Sequence, residues 1–114
     1  MEYRQLDEKE IRQLEDNNCW AEDWQRVMVA DDFNPNAVRN VTFYGDVKLG
    51  SFDKSIEVSK TFMRRTGVYN ATLRNVTIGN NSLVENVGSY INNYVIGSDC
   101  YISNICTMET TEGA

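Results

Sequence analysis

From Leu73 to Met108 the sequence repeats every six residues, and no other feature restricts the fold of this chain as strongly. Stepping from Ile78 gives Val84, Tyr90, Ile96, Ile102 and Met108, an unbroken apolar column. Two residues ahead of each stand Val76, Ser82, Gly88, Tyr94, Cys100 and Cys106, which are mostly small. Strand alternation sends residues i and i−2 to one side of an extended segment, so both columns are expected to face a core. Between them crowd Asn80, Asn81, Asn86, Asn92, Asn93, Ser98, Asp99 and Asn104. Such residues tolerate left-handed backbone and close local side-chain hydrogen bonds, so they mark corners. Three hexads make about eighteen residues, and Ile78-Gly79-Asn80-Asn81-Ser82 lies over Ile96-Gly97-Ser98-Asp99-Cys100 at that spacing. This periodicity predicts a parallel β-helix, in which short strands stack coil upon coil.

The tract from Ile78 to Ile105 resembles the hexapeptide-repeat, left-handed parallel β-helix proteins of the trimeric LpxA-like superfamily: an aliphatic residue, often Gly, two loose positions, then a small residue. Left-handedness is implied by that resemblance alone, since parallel crossovers otherwise favour the right hand. With NNCWAEDWQRV, FYGDVKLGSF and METTEGA, the whole chain is similar to the amino-terminal part of a larger, uncharacterised Bacteroides-type family of unknown function, DUF4954-like. The expected class is mainly β, a left-handed parallel β-helix (hexapeptide-repeat solenoid) with a short N-terminal α-helix. Residues 1–36 are expected to form the helix and a capping or linker segment. Residues 37–114 are expected to form coils, irregular to about 70 and regular from about 73, cut short at the C-terminus.

The helix is expected from Asp7 to about Asn17. Asp7 can cap it, Glu10 completes a capping box, and Asn17-Asn18 is a fitting stop. Trp20 and Trp24 are expected to cover a core edge, with sugar or base stacking as the other use of such a pair. Val27 and Val29 then alternate inward, Asp31 to Asn36 is a loop, and Val41, Phe43, Val47 and Leu49 alternate again. The word Arg39-Asn40-Val41-Thr42 returns as Arg74-Asn75-Val76-Thr77, both at expected strand positions. Residues Met63 to Tyr69 read as a polar interruption, with Arg64 and Arg65 on a solvated loop.

A net charge of −6 disfavours nucleic acid and anionic membrane, which need clustered Lys and Arg. The polar N-terminus lacks the basic start and apolar centre of a secretory leader, and no apolar run reaches the roughly 18 residues of a span, so a cytoplasmic address is expected. The Asn-x-Ser/Thr triplets at Asn40, Asn70, Asn75 and Asn80 are accordingly read as turn chemistry. Of the three cysteines, Cys100 and Cys106 fall in the small column, where a thiol acts as a compact hydrophobe.

Relatives implied by the hexapeptide resemblance include acyltransferases and sugar-nucleotide enzymes, in which His commonly serves as general base. The chain has no His. The leading expectation is a noncatalytic scaffold segment of a larger bacterial protein, with no catalytic residue, metal or cofactor of its own. The alternative is part of an acyl or sugar-nucleotide transferase whose catalytic residues lie beyond residue 114. Glu109 and Glu112 are the two candidate binding residues, because continuing the period carries Glu112 into the inward column, where an unpaired carboxylate would need a partner. Expected partners are the rest of the polypeptide and further copies of the chain, a trimer by resemblance; a small-molecule ligand stays undefined.

Overall fold

A computed structural model describes residues 3–53, 55–59, 62–103 and 107–109. Strand β1 (Arg4–Gln5) leads into helix α1 (Glu8–Asp16). The Asp7 carboxylate accepts from the Glu10 N–H at 2.8 Å, and the Glu10 carboxylate accepts from the Asp7 N–H at 3.1 Å, which is the expected capping box. Arg4 donates to both Glu10 oxygens, at 2.7 and 2.8 Å, so one carboxylate ties β1 to the helix start. The helix buries Leu14 and ends at Asn17, whose Nδ2 donates to the Pro35 and Val38 carbonyls.

The remainder is strand: β2 (Trp20–Ala21), β3 (Val27–Val29), β4 (Val38–Tyr44), β5 (Val47–Leu49), β6 (Ser55–Ser59), β7 (Phe62–Arg65) and β8 (Gly67–Arg74), followed by β9 (Thr77–Ile78), β10 (Leu83–Glu85), β11 (Tyr90–Asn92), β12 (Val95–Ile96), β13 (Tyr101–Ser103) and β14 (Thr107–Glu109). A five-stranded mixed sheet runs β1-β3-β5-β9-β12, with β1 antiparallel to β3 and the other neighbours parallel. A seven-stranded parallel sheet is built around β8, whose first half pairs with β10 and whose second half pairs with β11. Strand β4 lies along the other side of β8, and β6 and β7 form a separate antiparallel pair. The expected alternation holds at Val27, Val29, Val41, Phe43, Val47 and Leu49, all buried, and these join Leu73, Ile78, Val84 and Ile91 in one core between the two larger sheets.

Corners are made by asparagine. Asn18, Asn40, Asn70, Asn75, Asn81, Asn86 and Asn93 all take positive φ between 52 and 63°. Asn is among the few side-chain-bearing residues that visit this region readily. Four of them also stack: Asn18 donates to Asn40, Asn40 Nδ2 to Asn70 Oδ1 at 2.8 Å, and Asn70 Nδ2 to Asn86 Oδ1 at 3.1 Å. The kinks at Asn40 and Asn70 fall inside β4 and β8 and let each long strand serve two stretches of the sheet. Asn40, Asn70 and Asn75 are thus turn residues as expected, while in the Asn80-Asn81 pair the second residue takes the turn.

The mainly β character and the short helix stand, but the left-handed β-helix expected from the hexapeptide pattern is corrected. The sheets are one mixed, one parallel and one antiparallel pair, arranged like a sandwich about the shared core. The intervals along the asparagine ladder are 22, 30 and 16 residues, so no constant length runs through the whole chain, although Leu73 pairs with Ile91, Ile78 with Ile96 and Val84 with Ile102 at the expected spacing of 18. The apolar column also slips: Ile91 is buried at 0% exposure and pairs with Leu73, whereas Tyr90, the residue in the column, is half-buried. A one-residue slip exchanges the two faces of a strand, so the six-residue count misassigns β11, although Val76, Ile78, Val84 and Ile96 are buried as expected. Nor do the two Arg-Asn-Val-Thr words superpose, since Arg39 pairs with Tyr69 and Thr42 with Thr72. The interruption expected at 63–69 is instead occupied by the end of β7 and the start of β8. Ile102 is half-buried, and the side chain of Met108, like all of Cys106 and Asn104, lies outside the described part.

Gly67 makes that β7-to-β8 passage. Its φ is +151°, and a Cβ there would stand 2.1 Å from the Ala37 carbonyl oxygen, so only glycine lets β8 start this close to the preceding layer.

Candidate functional site

The register of the parallel sheet creates a row of outward residues that no local motif announces. Tyr44 sits beside Arg74, Arg74 beside Asn92, and Asn92 beside Glu109. Parallel strands lie about 4.8 Å apart, so the row advances by that distance per residue. Thr72 and Tyr90, two positions before Arg74 and Asn92, share the outer face, while Phe43, Leu73 and Ile91 between them are buried beneath it. The face is therefore backed by rigid core.

A groove of about 270 Å³ runs over this face, lined by Tyr44, Thr72, Arg74, Ser89, Tyr90 and Asn92. Trp20 stands edge-on to Tyr44, with centroids 5.7 Å apart and planes at 63°, and keeps 54% of its surface exposed. Trp24 behaves as expected for a core cover, half-buried with its ring 5.9 Å from Phe43. Trp20 does not; it remains available to a ligand or partner.

A second depression, about 370 Å³, shares Tyr44 and Arg74 and adds Glu22 and Arg26. Arg26 Nε donates to Asp46 at 2.9 Å. That bond holds the Asp46 carboxyl below its ordinary range and raises the Arg26 guanidinium. A third, wider depression of about 570 Å³ reaches from Asp46 and Lys48 to Val95. Part of its polar rim is already engaged: the Asn75 side-chain Oδ1 accepts from the Asp46 N–H at 3.0 Å, and Lys48 Nζ stands 5.7 Å over the Tyr3 ring. Arg74, by contrast, enters no ion pair among the described residues. Stacking surfaces, hydroxyls, an amide and one guanidinium on a flat backing are groups suited to binding.

Of the residues expected to bind, Glu109 lies in β14 beside Asn92, next in the Tyr44-Arg74-Asn92 row by register, and Glu112 lies outside the described residues. Arg65 is exposed on β7, in the separate β6-β7 pair and not in the sheet that carries that row. Nothing in the sequence signals that Tyr44, Arg74 and Tyr90 share a face, because they meet only through strand pairing; Tyr90, expected inward with the apolar column, lines the groove instead. Cys19 is buried, and burial pushes its thiol up. Cys100 is half-buried, and neither of these two thiols is in a disulfide. Among the described residues no cluster of Cys, Asp and Glu has the makings of a metal site, and no helix is long and apolar enough to cross a membrane.

Fold and surface define a mainly β domain whose distinctive feature is one aromatic and polar sheet face. Residues 3–114 match the family described as Domain of unknown function (DUF4954), and the chain belongs to that family. A protein of Treponema pallidum (strain Nichols), described as "Uncharacterized protein", is 30% identical over 112 residues, which is 98% of this chain. The chain spans 15% of the length of that relative. No solved structure matches it. The family found is this one and not the LpxA-like hexapeptide-repeat superfamily, which corrects that part of the resemblance.

Proposed function

We propose that this chain is a noncatalytic scaffold segment of a larger bacterial protein, and that it holds the outer face of the seven-stranded sheet ready for a binding partner. The observation that carries this is the row Tyr44, Arg74 and Asn92 standing over buried Phe43, Leu73 and Ile91. Exposed aromatic and guanidinium groups on a rigid base lose little freedom when bound, which is what a presenting surface needs. The far greater length of the Treponema relative supports the segment reading. A cytoplasmic setting fits the unbridged thiols of Cys19 and Cys100.

The test is an assay of the chain with acyl-coenzyme A donors and with sugar nucleotides, against hydroxyl and amine acceptors, beside the Glu109→Gln variant. No turnover above the uncatalysed rate is expected. Turnover that Glu109→Gln abolished would overturn the scaffold reading.

A further inference from the structure

We propose that the groove over β4, β8 and β11 is a binding site for a short saccharide that bears a single carboxylate. The inference rests on the reading of this sheet face as a binding face and names its ligand. Three observations converge on it. Tyr44 and Tyr90 flank the groove of about 270 Å³, with Trp20 beside Tyr44 extending the aromatic surface. Pyranose rings present flat C–H faces that stack on such rings, and stacking is worth most when the aromatic side is held by a rigid neighbour. Tyr44 has that neighbour in Trp20, 5.7 Å away.

Hydroxyl and amide groups of Thr72, Ser89 and Asn92 line the same groove, matching the dense donor and acceptor pattern of a sugar edge. Arg74 stands between Tyr44 and Asn92 in register, so a guanidinium fork lies about one strand spacing, roughly 4.8 Å, from each. A planar fork without an ion-pair partner among the described residues fits a planar carboxylate in two-bond geometry. The surroundings limit the ligand to one negative charge. Glu22 lines the adjoining depression, Arg26 there is committed to Asp46, and the chain carries −6 overall. A nucleic acid or a polysulfated chain would bring repeated charges against those carboxylates, whereas one uronate at Arg74 faces Glu22 alone, across the depression that Glu22 and Arg74 both line.

The test uses the 114-residue chain. A trisaccharide with one glucuronate between two N-acetylglucosamines, the same compound with its carboxyl reduced, and neutral cellotriose are each titrated while amide shifts are followed by NMR. The acidic compound is expected to bind with a Kd on the order of a millimolar or tighter, moving amides of β4, β8 and β11. Arg74→Gln should weaken it about tenfold or more, Tyr90→Ala about fivefold, and carboxyl reduction as much as Arg74→Gln. Ser89→Glu, at an exposed position on the rim, provides a second variant that leaves the core alone and should abolish binding of the acidic compound. The proposal is overturned if no saccharide shifts those amides, if reduced and acidic forms bind equally, or if neither Arg74→Gln nor Ser89→Glu alters binding. A concentration-dependent dimer that Arg74→Gln dissolves, with no saccharide response, would also overturn it and assign the face to self-contact. Failure of this proposal leaves the transferase assay silent, so it is distinguishable from failure of the scaffold reading.

Discussion

Replacing Asn70 by Ala should destabilise the fold by about 2–3 kcal/mol, while Asn70→Gly should cost only about 1 kcal/mol. Asn70 occupies the middle of the stacked corner: it accepts from Asn40 at 2.8 Å and donates to Asn86 at 3.1 Å, at a φ of 54°. Both variants lose the two side-chain hydrogen bonds. Because the corner is exposed, each is worth no more than about 0.5 kcal/mol net. Ala adds the left-handed penalty of about 1–2 kcal/mol for a side chain that cannot bond locally, which Gly escapes. The difference between the two variants therefore isolates the backbone term from the ladder. Urea unfolding followed by tryptophan fluorescence reads both on one protein, and Trp20 and Trp24 lie near enough to this part of the sheet to report its loss. Equal midpoints for Ala and Gly would refute the claim that the corner is set by backbone conformation. A loss under about 0.5 kcal/mol for Ala would refute the ladder account altogether.

Gly67→Ala should cost about 3 kcal/mol or more, because the new methyl meets the Ala37 carbonyl oxygen at 2.1 Å, and a midpoint within error of the parent would contradict that contact. Gly45→Ala also faces a 2.1 Å approach, but to the movable Asn75 side chain, so its thermal midpoint should fall less than that of Gly67→Ala. Glu10 sits below its ordinary carboxylate value, chiefly through the Arg4 hydrogen bond, so its stabilisation is present above the unfolded-state value and is lost as pH falls through the folded one. Parent and Glu10→Gln should accordingly differ by about 1–2 kcal/mol at neutral pH and converge in acid; a gap that stayed constant with pH would refute the assignment. Cys19, buried and with its thiol raised, should resist aromatic disulfide reagents until urea unfolds the chain; reaction at the rate of a free thiol in the native state would place it at the surface.

Features set within a few residues were legible. The Asp7 and Glu10 capping box needs only a three-residue spacing, and the inward placement of Val27, Val29, Val41, Phe43, Val47 and Leu49 needs only alternation. The turn role of Asn40, Asn70 and Asn75 follows from the side chain itself, which supports left-handed backbone wherever a corner is required. Which residue of the Asn80-Asn81 pair turns was not legible, because both have that capacity and the neighbouring strands choose.

What the sequence by itself determined is thus local: one capped helix, a set of short alternating strands, and corners made of asparagine. The eighteen-residue spacing also gave the pairing of Ile78 with Ile96 and of Val84 with Ile102, and only the tertiary structure decided how the earlier strands meet. Asn40 stacks on Asn70 although the matching sequence word begins at Arg74, and the core takes Ile91 where the six-residue column offers Tyr90. The sheet face follows from the same decisions, since Tyr44, Arg74 and Asn92 form a row only in the observed register. Pairing partner and register are fixed by the volume and hydrogen bonds of neighbouring strands, tens of residues away, and a shift of one residue turns a strand's core face into its outer face.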